Sequence, residues 1–478
     1  MRYRQIIYIL GHVLRFNGLF LCLPLLCAVI YGEQSGIITF AVTALLSFIA
    51  GCIFSFKKPQ NHSLYARDGF VIVSLAWLVM GLIGAIPISI LGNTSYINGV
   101  FEAVSGFTTT GASVFSSVED LPKCVLMWRS FTHWIGGMGV LVFIISILPL
   151  SGGYNMNIMK AESPGPSVGK LVPNIRKTAS ILYIIYISLT ALELIFLLIG
   201  KMTFFDALNT AFATAGTGGF GIKNDSAASF SPYIQIVITV FMALFGVNFS
   251  AYYLIIIRKY KDIFHISEVW IYLCIFVVSG LSIGANIAYL YDNLGIALRH
   301  GFFQVASIMS TTGFATADFD TWPQFSRTLL VTLMFIGACS GSTGGGMKVS
   351  RIMILFKTMA KEMQTIIHPK SVRAIKMDKK IIPHETLRSV NVYTVWFFVI
   401  FAVSCILLSF EGHDLVTNFT AVTATINNIG PGLAKVGATC NFEFFGSFSK
   451  AVLIFDMLAG RLELLPMLVL FSPYSWKK

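Results

Sequence analysis

Charge is what this chain has least of. Only 12% of its 478 residues are Asp, Glu, Lys or Arg, 55% are apolar, and the mean hydropathy is +0.76. A soluble fold of that size cannot bury so much apolar surface, which leaves a polytopic membrane protein. The eight cysteines form no C-x-x-C and no metal-ligand spacing. Cys22, Cys27, Cys52, Cys274, Cys339 and Cys405 fall in apolar stretches and read as small packing residues. Cys124 and Cys440 are the pair expected on the outer side, where a disulfide would join them. The eight histidines make neither H-x-x-x-H nor H-E-x-x-H. No G-x-x-x-x-G-K-[ST] is present, so neither an ATPase motif nor a nucleotide site is expected on this chain. Asp456, Glu463 and Glu193 are isolated acids and there is no G-x-G-D, which argues against an intramembrane enzyme.

What charge there is has a direction. The net +12 would suit a nucleic-acid partner if it were spread over one surface. Instead most Lys and Arg fall in segments that alternate along the chain, the largest group running from Lys348 to Arg388 with Arg373, Lys376, Lys379 and Lys380. The opposite segments carry Glu119, Asp120, Asp225, Asp318, Asp320 and Glu443. This is the positive-inside pattern; it puts both termini in the cytoplasm and leaves no role for nucleic acid. The basic segment 348–388 is also a candidate dock for an acidic partner. Ten spans are expected, near 6–30, 36–56, 69–91, 125–149, 179–200, 232–257, 267–291, 325–356 (interrupted), 389–410 and 448–472. The first, with Arg2, Arg4 and Arg15 and no cleavage site, reads as a retained signal anchor.

After the second span a pattern repeats: span, short apolar segment, Thr/Gly loop, span. The short segments are 97–109, 204–216, 296–311 and 414–427. Helices of that length cover about 20 Å, short of the bilayer's core of about 30 Å, so they read as re-entrant half-helices. Their loops are Thr108-Thr109-Thr110-Gly111, Ala215-Gly216-Thr217-Gly218, Ser310-Thr311-Thr312-Gly313 and Ile426-Asn427-Asn428-Ile429-Gly430, whose glycines lie 107, 95 and 117 residues apart. Irregular backbone at membrane depth survives only where protein or a water-filled path supplies hydrogen bonds, so these loops are expected to face a pore. A dehydrated cation needs oxygens at close range, and glycine turns carbonyls inward at low cost. The half-helix C-termini add partial negative charge, the wrong sign for an anion carrier. The expected fold is therefore all-α, with two extra N-terminal spans (1–66) and four helix–pore-helix–filter–helix repeats (67–160, 161–262, 263–380, 381–478) around one pseudo-fourfold pore.

Two features lie beyond the loops. Arg461, in the middle of the last span, would cost about 2.5–3.5 kcal/mol at bilayer centre, so it is expected to face the pore as an electrostatic barrier, or else a partner on another helix. The eighth span is interrupted by Gly337-Ala338-Cys339-Ser340-Gly341-Ser342-Thr343-Gly344-Gly345-Gly346, then Lys348. That many glycines do not hold a helix straight, and a movable gate is expected there, with a kink that permits close packing as the alternative. Gly136-Gly137-Met138-Gly139 reads as helix packing.

The constellation resembles the TrkH branch of the Trk/Ktr/HKT superfamily of potassium transporters over nearly the whole chain. The resemblance is carried by Phe107-Thr108-Thr109-Thr110-Gly111-Ala112, Trp134-Ile135-Gly136-Gly137-Met138-Gly139, Thr217-Gly218-Gly219-Phe220, Asn248-Phe249 and Ser310-Thr311-Thr312-Gly313-Phe314. To these add Gly341-Ser342-Thr343-Gly344-Gly345-Gly346-Met347-Lys348, Asn428-Ile429-Gly430-Pro431-Gly432 and Gly460-Arg461. It implies K⁺ as the transported ion, held at Thr110, Gly111, Thr217, Gly218, Thr312, Gly313, Ile429 and Gly430, with Thr109, Thr311 and Asn428 completing the filter. Ser at the first filter position goes with Na⁺ transport in some plant relatives; Gly111 here favours K⁺, with a Na⁺ or mixed Na⁺/K⁺ pathway as the alternative. The resemblance further implies a gate of Gly337, Gly341, Ser342, Thr343, Gly344, Gly345, Gly346, Lys348 and Arg461. It implies a homodimer in the bacterial inner membrane and a cytoplasmic TrkA-type regulatory subunit that binds NAD(H) or ATP/ADP.

Overall fold

The computed structural model describes residues 3–59, 66–139, 175–370 and 374–476. Residues 140–149 of the expected fourth span, the expected boundary at 160 and Arg373 lie outside them. Helices α1 (Tyr3–Phe20) and α2 (Cys22–Tyr31) run on as one span, and α3 (Gln34–Phe54) returns beside α1. Four units of one design follow. The first is α4 (Ala66–Leu91), half-helix α5 (Tyr96–Phe107) and α6 (Lys123–Met138). The second is α7 (Ile175–Ile199), half-helix α8 (Phe204–Ala215), α9 (Pro232–Phe245) and α10 (Phe249–Ile256). The third is α11 (Ser267–Asn286), half-helix α12 (Leu294–Met309), α13 (Gln324–Ile336) and α14 (Val349–Ile367). A small hairpin, β1 (Lys376–Met377) with β2 (Lys380–Ile381), leads to the fourth: α15 (His384–Ser409), half-helix α16 (Leu415–Ile426), α17 (Ser447–Arg461) and α18 (Leu465–Phe471).

The units close on themselves. Each half-helix packs between the helices that flank it in sequence, and the second helix of each unit also packs on the next unit's half-helix: α6 on α8, α9 on α12, α13 on α16, and α17 back on α5. A chain of four units is thereby bent into a ring with the four loops at its centre.

One expectation needs correction. Only the eighth span was expected to be interrupted, yet among the described residues six spans are continuous and the second helix of every unit ends early. Helix α6 stops at Gly139 (φ +78°) and α13 at Gly337 (φ +73°). Helices α9 and α10 meet at 91° across Gly246–Asn248. Helix α17 gives way to α18 through Glu463 and Leu464, both left-handed. Three of these breaks lie against a half-helix end: Gly136 meets the Phe107 carbonyl, Gly344 that of Ser310 and Gly460 that of Ile426.

The N-terminal pair shows why small residues sit in these spans. A Cβ on Gly11 would lie 2.6 Å from the Ser55 nitrogen, and one on Gly51 2.6 Å from the Arg15 nitrogen. Ser47 Oγ donates to the Leu14 carbonyl at 2.9 Å across the same seam. Between helices in lipid such close backbone approach supplies the attraction that hydrophobicity cannot. Gly51→Val should therefore lower stability by about 1–3 kcal/mol, the usual cost of overpacking, read as a lower thermal midpoint in detergent. Ile53→Val, on the exposed face of the same helix, should leave the midpoint unchanged.

Candidate functional site

Each half-helix begins at a side-chain cap. Ser95 Oγ accepts from the Asn98 N–H, Thr203 Oγ1 from Asp206, Asn293 Oδ1 from Gly295 and Asp414 Oδ2 from Thr417, at 3.4, 3.2, 2.7 and 2.9 Å. Such caps satisfy donors that the first turn leaves open. Three half-helices run 12 residues and α12 runs 16. All four end alike. The N–H groups of Thr110, Gly218, Thr312 and Ile429 reach back to the carbonyls of Ser105, Ala213, Ser307 and Ala424. Those of Thr109, Thr217, Thr311 and Asn428 reach Gly106, Thr214, Ile308 and Thr425. This pair of bonds is the Schellman motif, which needs a left-handed residue and usually takes glycine. Here φ is +57° at Thr109, +55° at Thr217, +60° at Thr311 and +54° at Asn428. Three of the four are β-branched, for which the conformation costs about 1–2 kcal/mol each.

The shared motif sets the register. Thr109, Thr217, Thr311 and Asn428 are equivalent, and Thr110, Gly218, Thr312 and Ile429 form the next layer. Gly111, Gly219, Gly313 and Gly430, with φ of +77°, +75°, +87° and +100°, form the third. The sequence pairing of Gly218 with Gly111 is thus one residue short: Gly219 takes that place. Gly218 is a glycine because a Cβ there would overlap the His133 ring. That ring's Nδ1 lies 2.8 Å from the Gly106 carbonyl oxygen, and its Nε2 accepts from the Phe220 N–H at 3.2 Å.

The third layer makes the ring's contacts. A Cβ on Gly111 would overlap the carbonyl oxygen of Gly218, one on Gly219 that of Thr312, and one on Gly313 that of Ile429. On Gly430 it would stand 2.8 Å from the Thr110 oxygen, which closes the circle. The same four glycines line one cavity of about 120 Å³, walled by Ser113, Phe220, Asn224 and Pro431 among others. Four carbonyl-bearing turns thus surround one axis beneath one mouth.

On the opposite side of the loops the broken helices press against the half-helix ends. A Cβ on Gly136 would overlap the Phe107 carbonyl oxygen, and one on Gly460 that of Ile426. Gly344 and Gly345 would bring theirs to 2.8 Å from the Ser310 oxygen and 2.5 Å from the Asn427 oxygen. The segment 337–348 is therefore lodged under the third and fourth loops, with Gly337, Gly341 and Gly346 at φ of +73°, +70° and +76°. Gly345 N–H donates to Thr311 Oγ1 at 2.6 Å, Ser342 Oγ to the Cys339 carbonyl at 2.6 Å, Thr343 Oγ1 to the Phe245 carbonyl at 3.2 Å, and Lys348 Nζ to the Gly344 carbonyl. Arg461 is held rather than free. Its Nη1 donates to the Thr343 carbonyl at 2.8 Å and to Thr109 Oγ1 at 3.3 Å, and its Nη2 to the carbonyls of Gly137, at 2.8 Å, and Gly136. Glu463 pairs with Arg351, and Asp456 accepts from Ser404 Oγ at 2.7 Å.

Three buried groups escaped the sequence reading. Glu102, on α5, pairs with Arg129 of α6 at 2.7 Å and also accepts from Ser113 Oγ and the Val114 N–H, both at 3.0 Å. The guanidinium stacks 4.1 Å from the Phe220 ring of the second unit. Glu268 of α11 accepts from Ser340 N–H at 2.6 Å and Ser350 N–H at 3.0 Å, holding both ends of the glycine-rich segment. His133 is the third. The signal was present for Arg129, an ionisable residue inside the expected span 125–149. Cys124 and Cys440 are both free, so the expected disulfide is absent; Cys124 is buried against Gly36 and Cys440 is exposed.

The chain matches the model of the TrkH family, described as cation transport protein, over residues 34–274 and 271–478. It is 36% identical to the Trk system potassium uptake protein TrkH of Vibrio parahaemolyticus and 35% identical to that of Escherichia coli K12, each over 100% of both chains. The crystal structure of the potassium transporter TrkH from Vibrio parahaemolyticus superposes with a TM-score of 0.90, at 33% identity and full coverage of both chains.

The Glu102–Arg129 pair generates a stability prediction. Neutralising one partner strands the other charge in a buried site, at a cost of about 3–5 kcal/mol. Glu102→Gln should accordingly lower the thermal midpoint in detergent by far more than Glu119→Gln, at an exposed position.

Proposed function

The chain belongs to the TrkH family of cation transport proteins, and from that premise we propose that it carries K⁺ into the cell through a channel-like path along the ring axis. The observation that carries this reading is the cyclic contact of Gly111, Gly219, Gly313 and Gly430 with the carbonyls of the next unit. Carbonyls on four sides replace the water lost by a permeating cation without adding a fixed charge. The half-helices end at these loops, so their partial negative ends favour a cation there. Movement inward is driven by the membrane potential, worth about 2.3 kcal/mol per charge for each 100 mV.

The segment 337–348 and Arg461 act as the barrier in this reading. The guanidinium lies under the first loop and the glycines under the third and fourth. An ion leaving the filter toward the cytoplasm meets both. Lys348 and Arg351 are buried at the barrier, and the exposed bases of the stretch, Lys370, Lys376, Lys379, Lys380 and Arg388, suit docking of an acidic cytoplasmic regulator of the TrkA type, which binds NAD(H) or ATP/ADP and opens the barrier. The working form is a homodimer in the inner membrane with both termini cytoplasmic.

The test is ⁸⁶Rb⁺ uptake into proteoliposomes, competed with K⁺, Na⁺ and Li⁺. Competition by K⁺ but hardly by Na⁺ supports the potassium reading, and equal competition by Na⁺ replaces it with the mixed Na⁺/K⁺ alternative. Gly111→Ser and Gly219→Ser place atoms on a neighbouring carbonyl and should reduce K⁺/Na⁺ discrimination by about tenfold, equivalent to about 1.4 kcal/mol. Gly430→Ser, where a Cβ has 2.8 Å, should lose least. Arg461→Gln removes the barrier's charge and should raise the uptake rate severalfold without changing the order of competing ions.

A further inference from the structure

The four left-handed residues share a backbone but not their contacts. Thr311 Oγ1 accepts from the Gly345 N–H at 2.6 Å, and Thr109 Oγ1 accepts from Arg461 Nη1 at 3.3 Å. Both donors belong to the barrier, and Arg461 also donates to the Thr343 carbonyl within it at 2.8 Å. The other two loops turn elsewhere. Thr217 Oγ1 donates to its own neighbour's carbonyl, Gly216, at 2.6 Å. Asn428 Nδ2 donates to Thr110 Oγ1 and to the Met457 carbonyl, both at 2.9 Å.

We propose that Thr109 and Thr311 are positioning residues through which the barrier sets the conformation of the filter, so that ion occupancy and barrier position are coupled. The inference rests on the transport reading above and adds to it a division of labour: loops one and three bond to the barrier through the hydroxyl of their left-handed residue, whereas loop four meets it by backbone packing at Asn427. The physical argument runs through strain. A β-branched residue persists in the left-handed region only while its surroundings hold it there. In loops one and three part of that hold comes from the barrier, through the threonine hydroxyls. When the barrier withdraws, the hydroxyls of Thr109 and Thr311 lose hydrogen-bond donors that the side chains of Thr217 and Asn428 do not use. The carbonyls of Ile308 and Gly106, bonded by the same left-handed residues, and the Thr110 and Thr312 layer beside them are then free to relax. Linkage makes the effect reciprocal: an ion that stabilises the layered loops must stabilise the docked barrier by the same factor.

Cys339 supplies a reporter within the barrier itself. Its side chain is fully buried, and its N–H donates to the Gly246 carbonyl at 3.0 Å. It is labelled by a maleimide only when the segment moves, and peptide mass spectrometry separates it from the exposed Cys22, Cys274 and Cys440. In purified wild-type protein, K⁺ should slow Cys339 labelling by about threefold or more relative to choline at equal ionic strength, a coupling of ordinary allosteric size. Thr311→Val keeps the branched shape and removes the hydroxyl, and should abolish this K⁺ dependence. Thr109→Val should reduce it, and Thr311→Ser, which restores a hydroxyl, should recover it. The inference is overturned if Thr311→Val retains the wild-type K⁺ dependence, or if wild-type labelling ignores K⁺ in a preparation that takes up ⁸⁶Rb⁺. Absence of both ⁸⁶Rb⁺ uptake and K⁺-dependent labelling would overturn the transport reading together with it.

Discussion

The structure depends on one contact made four times: a glycine of each loop against a backbone carbonyl of the next. Gly111 meets Gly218, Gly219 meets Thr312, Gly313 meets Ile429, and Gly430 meets Thr110. A side chain at any of the first three overlaps its neighbour, so the ring closes only in the absence of Cβ atoms. The half-helices, their caps and the flanking spans serve to bring four such turns to one axis. Backbone that turns at membrane depth must have its polar groups paired. The Schellman bonds at each half-helix end do this for the N–H groups of two successive residues in every loop, which leaves other carbonyls available to the axis.

Much of this architecture was legible in the chain. The half-helix limits were expected at 97–109, 204–216, 296–311 and 414–427, and they fall at Tyr96–Phe107, Phe204–Ala215, Leu294–Met309 and Leu415–Ile426. Their shortness and polar termini carry that signal. The register of the second loop did not follow, because Gly218 and Gly219 are adjacent and a Thr-Gly match stops at the first. The N-caps would have resolved it. Counted from Ser95, Thr203 and Asp414, the left-handed residue stands at the same distance in loops one, two and four, which puts Thr217 with Thr109 and Asn428. The third half-helix is one turn longer, so the count alone misleads there.

The helix breaks were legible only where glycine is dense. Five glycines between 337 and 346 announce an interruption; Gly136, Gly137 and Gly139 are as dense but read as packing, and Gly246 and the Glu463–Leu464 pair are too sparse to outweigh a long apolar run. The structure adds a tertiary contact that sequence does not carry: Gly136, Gly344 and Gly460 each lie against the end of a half-helix. The same holds for Gly136 and Gly137, read from sequence as helix packing. They do pack closely, yet their carbonyls also accept from Arg461. The Gly136 carbonyl accepts from Arg461 and also from the Gly139 N–H, at 3.1 Å, where α6 stops at Met138.

That last point changes how Arg461 should be understood. A bare guanidinium below a cation filter would act by charge alone, with a height set by its distance from the axis. Here the charge sits among the carbonyls of Gly136, Gly137 and Thr343 and the hydroxyl of Thr109. Hydrogen bonds to a charged group contribute about 1.5–3 kcal/mol each, so a set of them resists displacement more strongly than the passing field of one ion can overcome. In the proposed reading, opening would begin with the Thr343 segment, whose movement removes one acceptor and loosens the rest. The barrier is then a single mechanical object in which residues from the first, third and fourth units share one cation. Its strength comes from carbonyls at the end of α6 and in the glycine-rich segment, which converge on one guanidinium.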